Sequence, residues 1–412
     1  MASRALIPFL VAMMLVTGVC NTLLTKYQDN QCARDCDNPD PTRRRYFHQP
    51  VLQTAQMFVG EMGCWLVVGI SALYHRLVSR TSSPSSAGYE AVSTDDADAI
   101  ADAPEPHNPE TDHDLVKMDT TFKGYRILLL ALPAICDICG TTLMNAGLLM
   151  VAASIYQMTR GALVLFVGLF SVLFLGRRLF LFQWISLVGV MLGVGLVGLA
   201  GAIWPDDQKK AEALVGAAAE IGQDAILAIV GVLLIAGAQV FTATQFVLEE
   251  WLLEKSTIDP IRVVGWEGIF GFAVTLLGMV ILHLLIGRTE AGKYGYFDVA
   301  EGWRQMTSKK EIWVSSIFIM VSIGGFNFFG LSVTRSVSAT SRSTIDTCRT
   351  LFIWIVSLGL QWETFKWLQV VGFALLVYFT FLFNGVVKPP VKWLEPEEEV
   401  QELLPEEPIE HQ

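Results

Sequence analysis

Glu61, Asp137, Arg160, Glu267 and Asp346 are charged residues set in stretches that are otherwise apolar, and Arg349 follows three residues after the last of them. A charge at mid-membrane costs about 2.5–3.5 kcal/mol on insertion scales, so such a residue faces a water-filled cavity, a partner or a substrate. Carboxyls at that depth can pick up and release protons. Asp137 has Gly140, Thr141 and Thr142 behind it and is the candidate proton site. Two readings stand side by side for each group: a hydrogen bond that fixes helix packing, or a place on a transport pathway. The pathway candidates are Asp137, Gln157, Arg160, Asn327, Asp346 and Arg349, with Glu61 and Glu267 as further intramembrane charges. Asn145, Gln239 and Gln245 are uncharged polar groups at helical depth; packing is the simpler reading for the two glutamines.

Arg160 opens a stretch of sixteen uncharged residues that ends at Arg177 and Arg178. The arginine pair reads as a membrane-edge anchor. Arg160 has three readings: a partner for Asp346, a stem that snorkels to the headgroups, or a partner elsewhere, since Arg349 stands one helical turn from Asp346. Enzyme chemistry finds little support. His283 is isolated, and neither H-E-x-x-H nor G-x-S-x-G occurs. Cys136 and Cys139 form C-x-x-C without a second ligand pair, which fits packing better than zinc. No metal or cofactor is expected. Cys32 and Cys36 lie in a polar loop and are either a disulfide or a free pair.

The elements that must hold these residues are membrane helices. The chain has 412 residues, is 52% hydrophobic and only 17% charged. Apolar runs of about twenty residues recur, each long enough for a ~30 Å hydrocarbon core. Ten spans are predicted: Leu6–Leu24, Pro50–His75, Tyr125–Met150, Ser154–Leu175 and Leu179–Ala202, then Gln223–Leu248, Ile261–Ile286, Ile312–Val333, Thr340–Leu360 and Phe365–Val387. The first resembles a signal peptide but continues past Cys20, and reads as an uncleaved helix. The fold class is therefore an all-α polytopic membrane protein.

"SVLFLGRRLFLFQW" from Ser171 and "SLGLQWETFKWLQV" from Ser357 share a Ser and a Gln twelve residues apart, at an offset of 186. The same offset sets VAAS at Val151 against VSAT at Val337, and Arg160 against Asp346. Five spans per half is an odd number, so the halves enter the membrane from opposite sides. Ten helices then form two inverted five-helix repeats, an architecture suited to alternating access. The expected organisation is 1–78 for the first two helices, 79–119 for an acidic disordered cytosolic loop and 120–202 for helices three to five. A luminal loop at 203–222, the second repeat at 223–387 and an acidic cytosolic tail at 388–412 follow.

The net charge of −11 is concentrated in the loop and the tail, and the remainder is net basic without a nucleic-acid footprint. The loop, rich in Ser, Pro, Asp and Glu, cannot bury enough surface to order itself. Arg177 and Arg178 favour a cytosolic N-terminus; Arg43, Arg44 and Arg45 oppose it. Two short patterns resemble sorting signals read by clathrin adaptors: Tyr89 with Val92 in the loop, and Glu399 with Leu403 and Leu404 in the tail. Together they point to late endosomes and lysosomes, with Golgi or mitochondrial membrane as alternatives.

Several stretches carry a family likeness: "MLVTGVCNTLLTKYQDN" from Met14, "ALPAICDICGTTLM" from Ala131, "QMTRGALVLFVGLFSVLFLGRRL" from Gln157, "RVVGWEGIFGF" from Arg262 and "FNFFGLSVTRSVSATSR" from Phe326. With ten spans and short loops, the chain resembles the drug/metabolite transporter superfamily. Within it, the chain is similar to the sixth-member branch of the F subgroup of solute carrier family 35, related to the chloroquine-resistance-transporter-like group. The resemblance implies a ten-helix endomembrane carrier and no particular solute. The expected function is a secondary transporter of a small organic solute by alternating access, with proton coupling in view. A non-transporting adaptor or scaffold, and a nucleotide-sugar carrier, are the alternatives. The partners expected are the solute, the lipid bilayer and clathrin adaptors, with no nucleic acid.

Overall fold

The computed structural model describes residues 2–34, 36, 45–47, 49–81, 124–148, 150–151, 156, 159–203, 221–256, 258–289, 292–362 and 364–389. Gln157, Tyr89, Val92, Glu399, Leu403 and Leu404 lie outside the described residues, as do nearly all of the acidic loop and tail. The described residues are helical apart from turns and a two-stranded pairing of β1 (Cys32–Arg34) with β2 (Arg45–Tyr46). The helices are α1 (Ala2–Asp29), α2 (Pro50–Met62), α3 (Cys64–Thr81), α4 (Ala131–Leu148), α5 (Leu163–Leu175) and α6 (Leu181–Ile203). There follow α7 (Ile221–Lys255), α8 (Pro260–Leu282), α9 (Val299–Ser308), α10 (Lys310–Ser336), α11 (Ala339–Gly359) and α12 (Trp367–Phe383).

Seven segments are long and apolar enough to cross a membrane: Leu6–Asp29, Pro50–Val78, Ile127–Leu148, Leu181–Ala200, Ile229–Lys255, Pro260–Gly287 and Lys310–Ser336. α5 and α12 are apolar but shorter, and α11 carries Arg342, Asp346 and Arg349 in its first half. Large apolar side chains point outward along these helices. Leu66, Leu173, Phe174, Val321 and Leu285 are all more than 60% exposed. In water such a surface would drive aggregation; in a bilayer it is the lipid-facing belt.

Helix ends follow local chemistry. Pro50 and Pro260 start α2 and α8 at positions where the missing N–H is not needed. Ser338 caps α11 by accepting from the Ser341 N–H at 3.0 Å. Gly176 ends α5 at φ +67°, a left-handed conformation that glycine adopts without strain. The fourth predicted span is corrected here. It is not one continuous helix: Thr159 and Arg160 are helical, a turn through Gly161 and Ala162 follows, and α5 starts at Leu163. Residues 163–175 cover about 20 Å at 1.5 Å per residue, short of the full hydrocarbon core.

α1 packs on α10, α4 on α7, α6 on α12 and α2 on α8; α2 also meets α10, and α4 meets α8. The closest approach is between α2 and α10. A Cβ at Gly60 would lie 2.3 Å from the Met320 carbonyl oxygen, and one at Gly324 2.7 Å from the Gly60 carbonyl oxygen. Small residues let backbones come this near where no water drives association.

At one end of the bundle, Cys32 and Cys36 are joined by a disulfide. Beside it, Phe47, Leu52, Ala55, Met279, Met306 and Ile312 form a buried cluster. α9 belongs to this cap. It is the amphipathic element of a connection that sequence reasoning left as loop, started by Asp298, whose side chain accepts from the Glu301 N–H at 3.3 Å.

Candidate substrate pathway

Five charged groups from five helices meet inside the bundle: Glu61 of α2, Asp137 of α4, Glu249 of α7, Glu267 of α8 and Arg342 of α11. Each lies within electrostatic reach of the others. Glu61, Glu249, Glu267 and Arg342 are buried, and Asp137 is half-buried. Arg342 forms an ion pair with Glu249, the tightest contact of the group. Its guanidinium carbon lies 4.2 Å from the centre of the Phe246 ring. Gln245 adds a hydrogen bond, donating from Nε2 to Glu249 Oε1 at 3.0 Å.

Glu61 accepts from Asn327 Nδ2 at 2.6 Å. That bond depends on the close approach just described. Glu61 follows Gly60, and Asn327 lies one turn after Gly324, so the two side chains reach one another only because the backbones nearly touch. Glu267 Oε1 has no hydrogen-bond partner among the described residues. Thr141 donates its hydroxyl to the Asp137 carbonyl at 2.8 Å, a bond within α4 that leaves the carboxylate free to face the cluster. No three His, Cys, Asp or Glu among the described residues are close enough to share a metal ion.

The guanidinium of Arg342 rests against α10 at Gly330. A Cβ there would lie 2.8 Å from Arg342 Nε and 3.1 Å from its Cζ. An exposed arginine would swing away, but this one is held by Glu249. Gly330→Ala is therefore expected to destabilise the protein by about 1–3 kcal/mol, as overpacking does. A thermal-unfolding midpoint unchanged from the parent would show that Arg342 has room to move.

A second charged group surrounds a pocket lined by Arg160, Gly161, Val194, Asp346, Thr347 and Arg349. Arg160 and Asp346 thus share one cavity wall. The ion pair, however, is between Asp346 and Arg349. Arg349 Nη2 donates to Asp346 Oδ2 at 3.3 Å, and its Nε stands 3.2 Å from Oδ1 without hydrogen-bond alignment. Nor is Arg160 inside the apolar helix α5. It is a half-buried helical residue that a turn at Gly161 and Ala162 separates from α5.

Arg177 does more than anchor a membrane edge. It pairs with Glu250 at 2.9 Å and with Glu254. Glu250 in turn accepts from the Ala339 N–H at 3.0 Å, at the start of α11. Glu249 and Glu250 therefore hold the first two turns of α11 from adjacent positions. Sequence reasoning missed Glu249, Glu250 and Arg342 because they fall near predicted span ends. A signal was available: Arg342, Asp346 and Arg349 are spaced four and three apart, which sets all three on one helix face. Of the other polar candidates, Gln239 donates to the Ile235 carbonyl of its own helix at 3.2 Å, and Asn145 is exposed.

The chain is 36% identical to solute carrier family 35 member F6 of Homo sapiens, over 92% of this chain and 89% of that one. It belongs to solute carrier family 35. An uncharacterised protein of Schizosaccharomyces pombe is 38% identical over 92% of this chain and 97% of its own length. A family model for nucleotide-sugar transporters matches residues 113–250 of this family 35 member. Its fold is shared by a solved crystal structure with a TM-score of 0.53 and 10% identity, covering 92% of this chain and 97% of that one. Family membership and a helical structure with seven apolar spans make this a multi-pass membrane protein of a solute-carrier family.

Proposed function

We propose that this family 35 member is a secondary transporter that moves a small organic solute across an endomembrane by alternating access, coupled to protons. One observation carries the reading: four carboxyls and one guanidinium converge inside a membrane bundle from five helices. A scaffold gains nothing from charge at that depth, whereas a carrier needs groups that bind on one side and release on the other.

The ten-helix, two-repeat architecture belongs to the same proposal. The packing supports it through its exchange symmetry. If α1 corresponds to α7, α2 with α3 to α8, α4 to α10, α5 to α11 and α6 to α12, then α1 on α10 becomes α7 on α4. Likewise α2 on α10 becomes α8 on α4, and α5 on α7 becomes α11 on α1. The pairs α2 on α8 and α6 on α12 map onto themselves, as elements astride a pseudo-two-fold axis do. In this scheme Glu61 and Asp137 come from one half, and Glu249, Glu267 and Arg342 from the other. The organisation into 1–78, 120–202 and 223–387, with acidic segments at 79–119 and 388–412, goes with it.

Asp137 is proposed as the proton carrier, with Arg160, Asp346 and Arg349 flanking the solute path. The Cys32–Cys36 disulfide supports a luminal position for its loop, since disulfides persist in oxidising compartments. That puts both chain ends in the cytosol, where Tyr89 with Val92, and Glu399 with Leu403 and Leu404, are available to clathrin adaptors that direct proteins to late endosomes and lysosomes.

The test is uptake by proteoliposomes across a metabolite panel, with and without a pH gradient. Asp137→Asn is expected to abolish gradient-driven uptake while sparing exchange at equal pH. Equal loss of both would remove the proton role from Asp137. A nucleotide-sugar carrier is the second reading, favoured by the family match over 113–250; uptake of a nucleotide sugar in the same panel would establish it.

A further inference from the structure

We propose that the solute bound at the carboxyl cluster is a small organic cation, exchanged for protons. This rests on the carrier reading above and names the substrate class that reading leaves open. The charge balance of the cluster is the starting point. Arg342 forms its ion pair with Glu249 and is within electrostatic reach of Glu61, Asp137 and Glu267, so among the described residues one guanidinium stands against four carboxyls. Glu61 receives only the neutral amide of Asn327.

Glu267 supplies the independent sign of a missing ligand. It is 6% exposed, and its Oε1 has no hydrogen-bond partner among the described residues. The charged groups around it are Glu61, Asp137, Glu249 and Arg342, each from a different helix. A buried carboxyl oxygen left without a donor is unfavourable by itself. A cation seated among Glu61, Asp137 and Glu267 supplies the opposite charge that the fold withholds. Among the described residues no three such groups could hold one metal ion together, so the proposed occupant is an organic ion that touches several of them in turn.

An anionic solute meets the reverse situation. It would enter beside three unpaired carboxyls with the one arginine of the cluster already occupied, and repulsion between like charges in a low dielectric is strong. Exchange follows from the same groups. A carboxyl that holds a proton no longer attracts a cation, so the two compete for Glu61, Asp137 and Glu267. Release of the cation on one side is driven by protonation there. Cys64, one turn beyond Glu61, Cys136, next to Asp137 in the chain, and the Glu249–Arg342 pair are the other titratable groups among the described residues within reach of the cluster.

Three ligands that share a shape separate the charge classes: choline, its neutral isostere 3,3-dimethylbutan-1-ol, and the anion 3,3-dimethylbutanoate. Tetraethylammonium serves as a second cation. Binding to the purified full-length protein is measured by isothermal calorimetry, at neutral and at acid pH. The cations are expected to bind and to weaken in acid, the isosteres to bind at least about tenfold more weakly. Glu267→Gln is expected to lower cation affinity about tenfold, the loss of one charged hydrogen bond or ion contact. Glu61→Gln serves as the second variant, and Gly195→Ala, where an added Cβ meets nothing within 4 Å, as a control that keeps cation affinity. The two cations are also offered to acid-loaded proteoliposomes, where accumulation with proton release is expected.

Binding of the neutral or anionic isostere as tight as that of choline overturns the cation assignment, and so does failure of both cations to bind. Full cation affinity in both Glu267→Gln and Glu61→Gln overturns the site. Cation binding without uptake leaves the cation site standing and removes the carrier reading. Uptake of a nucleotide sugar with no cation binding does the opposite.

Discussion

Arg342→Met is expected to cost about 3–5 kcal/mol, the penalty for leaving one member of a buried ion pair without its partner. Arg342 is 2% exposed and pairs with Glu249, itself 1% exposed. Removing the guanidinium leaves four carboxyls meeting between five helices with no cation among them. The variant should be recovered from membranes at a small fraction of the parent yield, with a lower unfolding midpoint in detergent. Glu249→Gln should be less damaging, because three carboxyls, Glu61, Asp137 and Glu267, remain within electrostatic reach of the arginine. The exchange Arg342→Glu with Glu249→Arg separates pairing from packing. It should recover at least part of the loss seen in either single charge reversal. A double variant no more stable than the worse single one would mean that position, not attraction, is what matters at these sites.

Gly60→Ala is expected to be nearly as damaging although it adds one methyl group. The added Cβ would lie 2.3 Å from the Met320 carbonyl oxygen and 2.7 Å from the Met320 Cα. These are backbone atoms in mid-helix and cannot rotate away, so α2 and α10 must separate. Overpacking of this kind costs about 3 kcal/mol or more at the upper end of its range. Separation also stretches the 2.6 Å bond from Asn327 to Glu61, so the defect should reach function as well as stability. Gly195→Ala is the control, since a Cβ at Gly195 meets nothing within 4 Å. If Gly60→Ala unfolds at the same temperature as Gly195→Ala, the two helices are not held at this distance in the membrane.

Membrane character, the rough positions of the helices and the charged residues at depth were all legible in the sequence, because each is a local property. Twenty apolar residues in a row cannot be solvated in any fold, and a charge among them must find company. Glu61, Asp137 and Glu267 stood out for this reason. A faint internal likeness was visible too, in Ser171 with Gln183 and Ser357 with Gln369. What no local property encodes is who the company is. The partner of Glu61 is Asn327, 266 positions away. Glu249 and Arg342 read as membrane-edge residues and turned out to be the most deeply buried ion pair among the described residues, since α7 runs on to Lys255 and brings them inside. Arg160 stood open between a pair with Asp346, a headgroup anchor and another partner, and it lines a pocket just ahead of the turn at Gly161. Asp346, set against Arg160 by the offset of 186, pairs with Arg349 one turn away, where the shared helix holds the two side chains close at little entropic cost. Sequence alone thus determined which residues needed partners. Only the tertiary structure decided the pairs, because a pairing depends on how close two backbones come, and here that distance is set by single glycines on helices far apart in the chain.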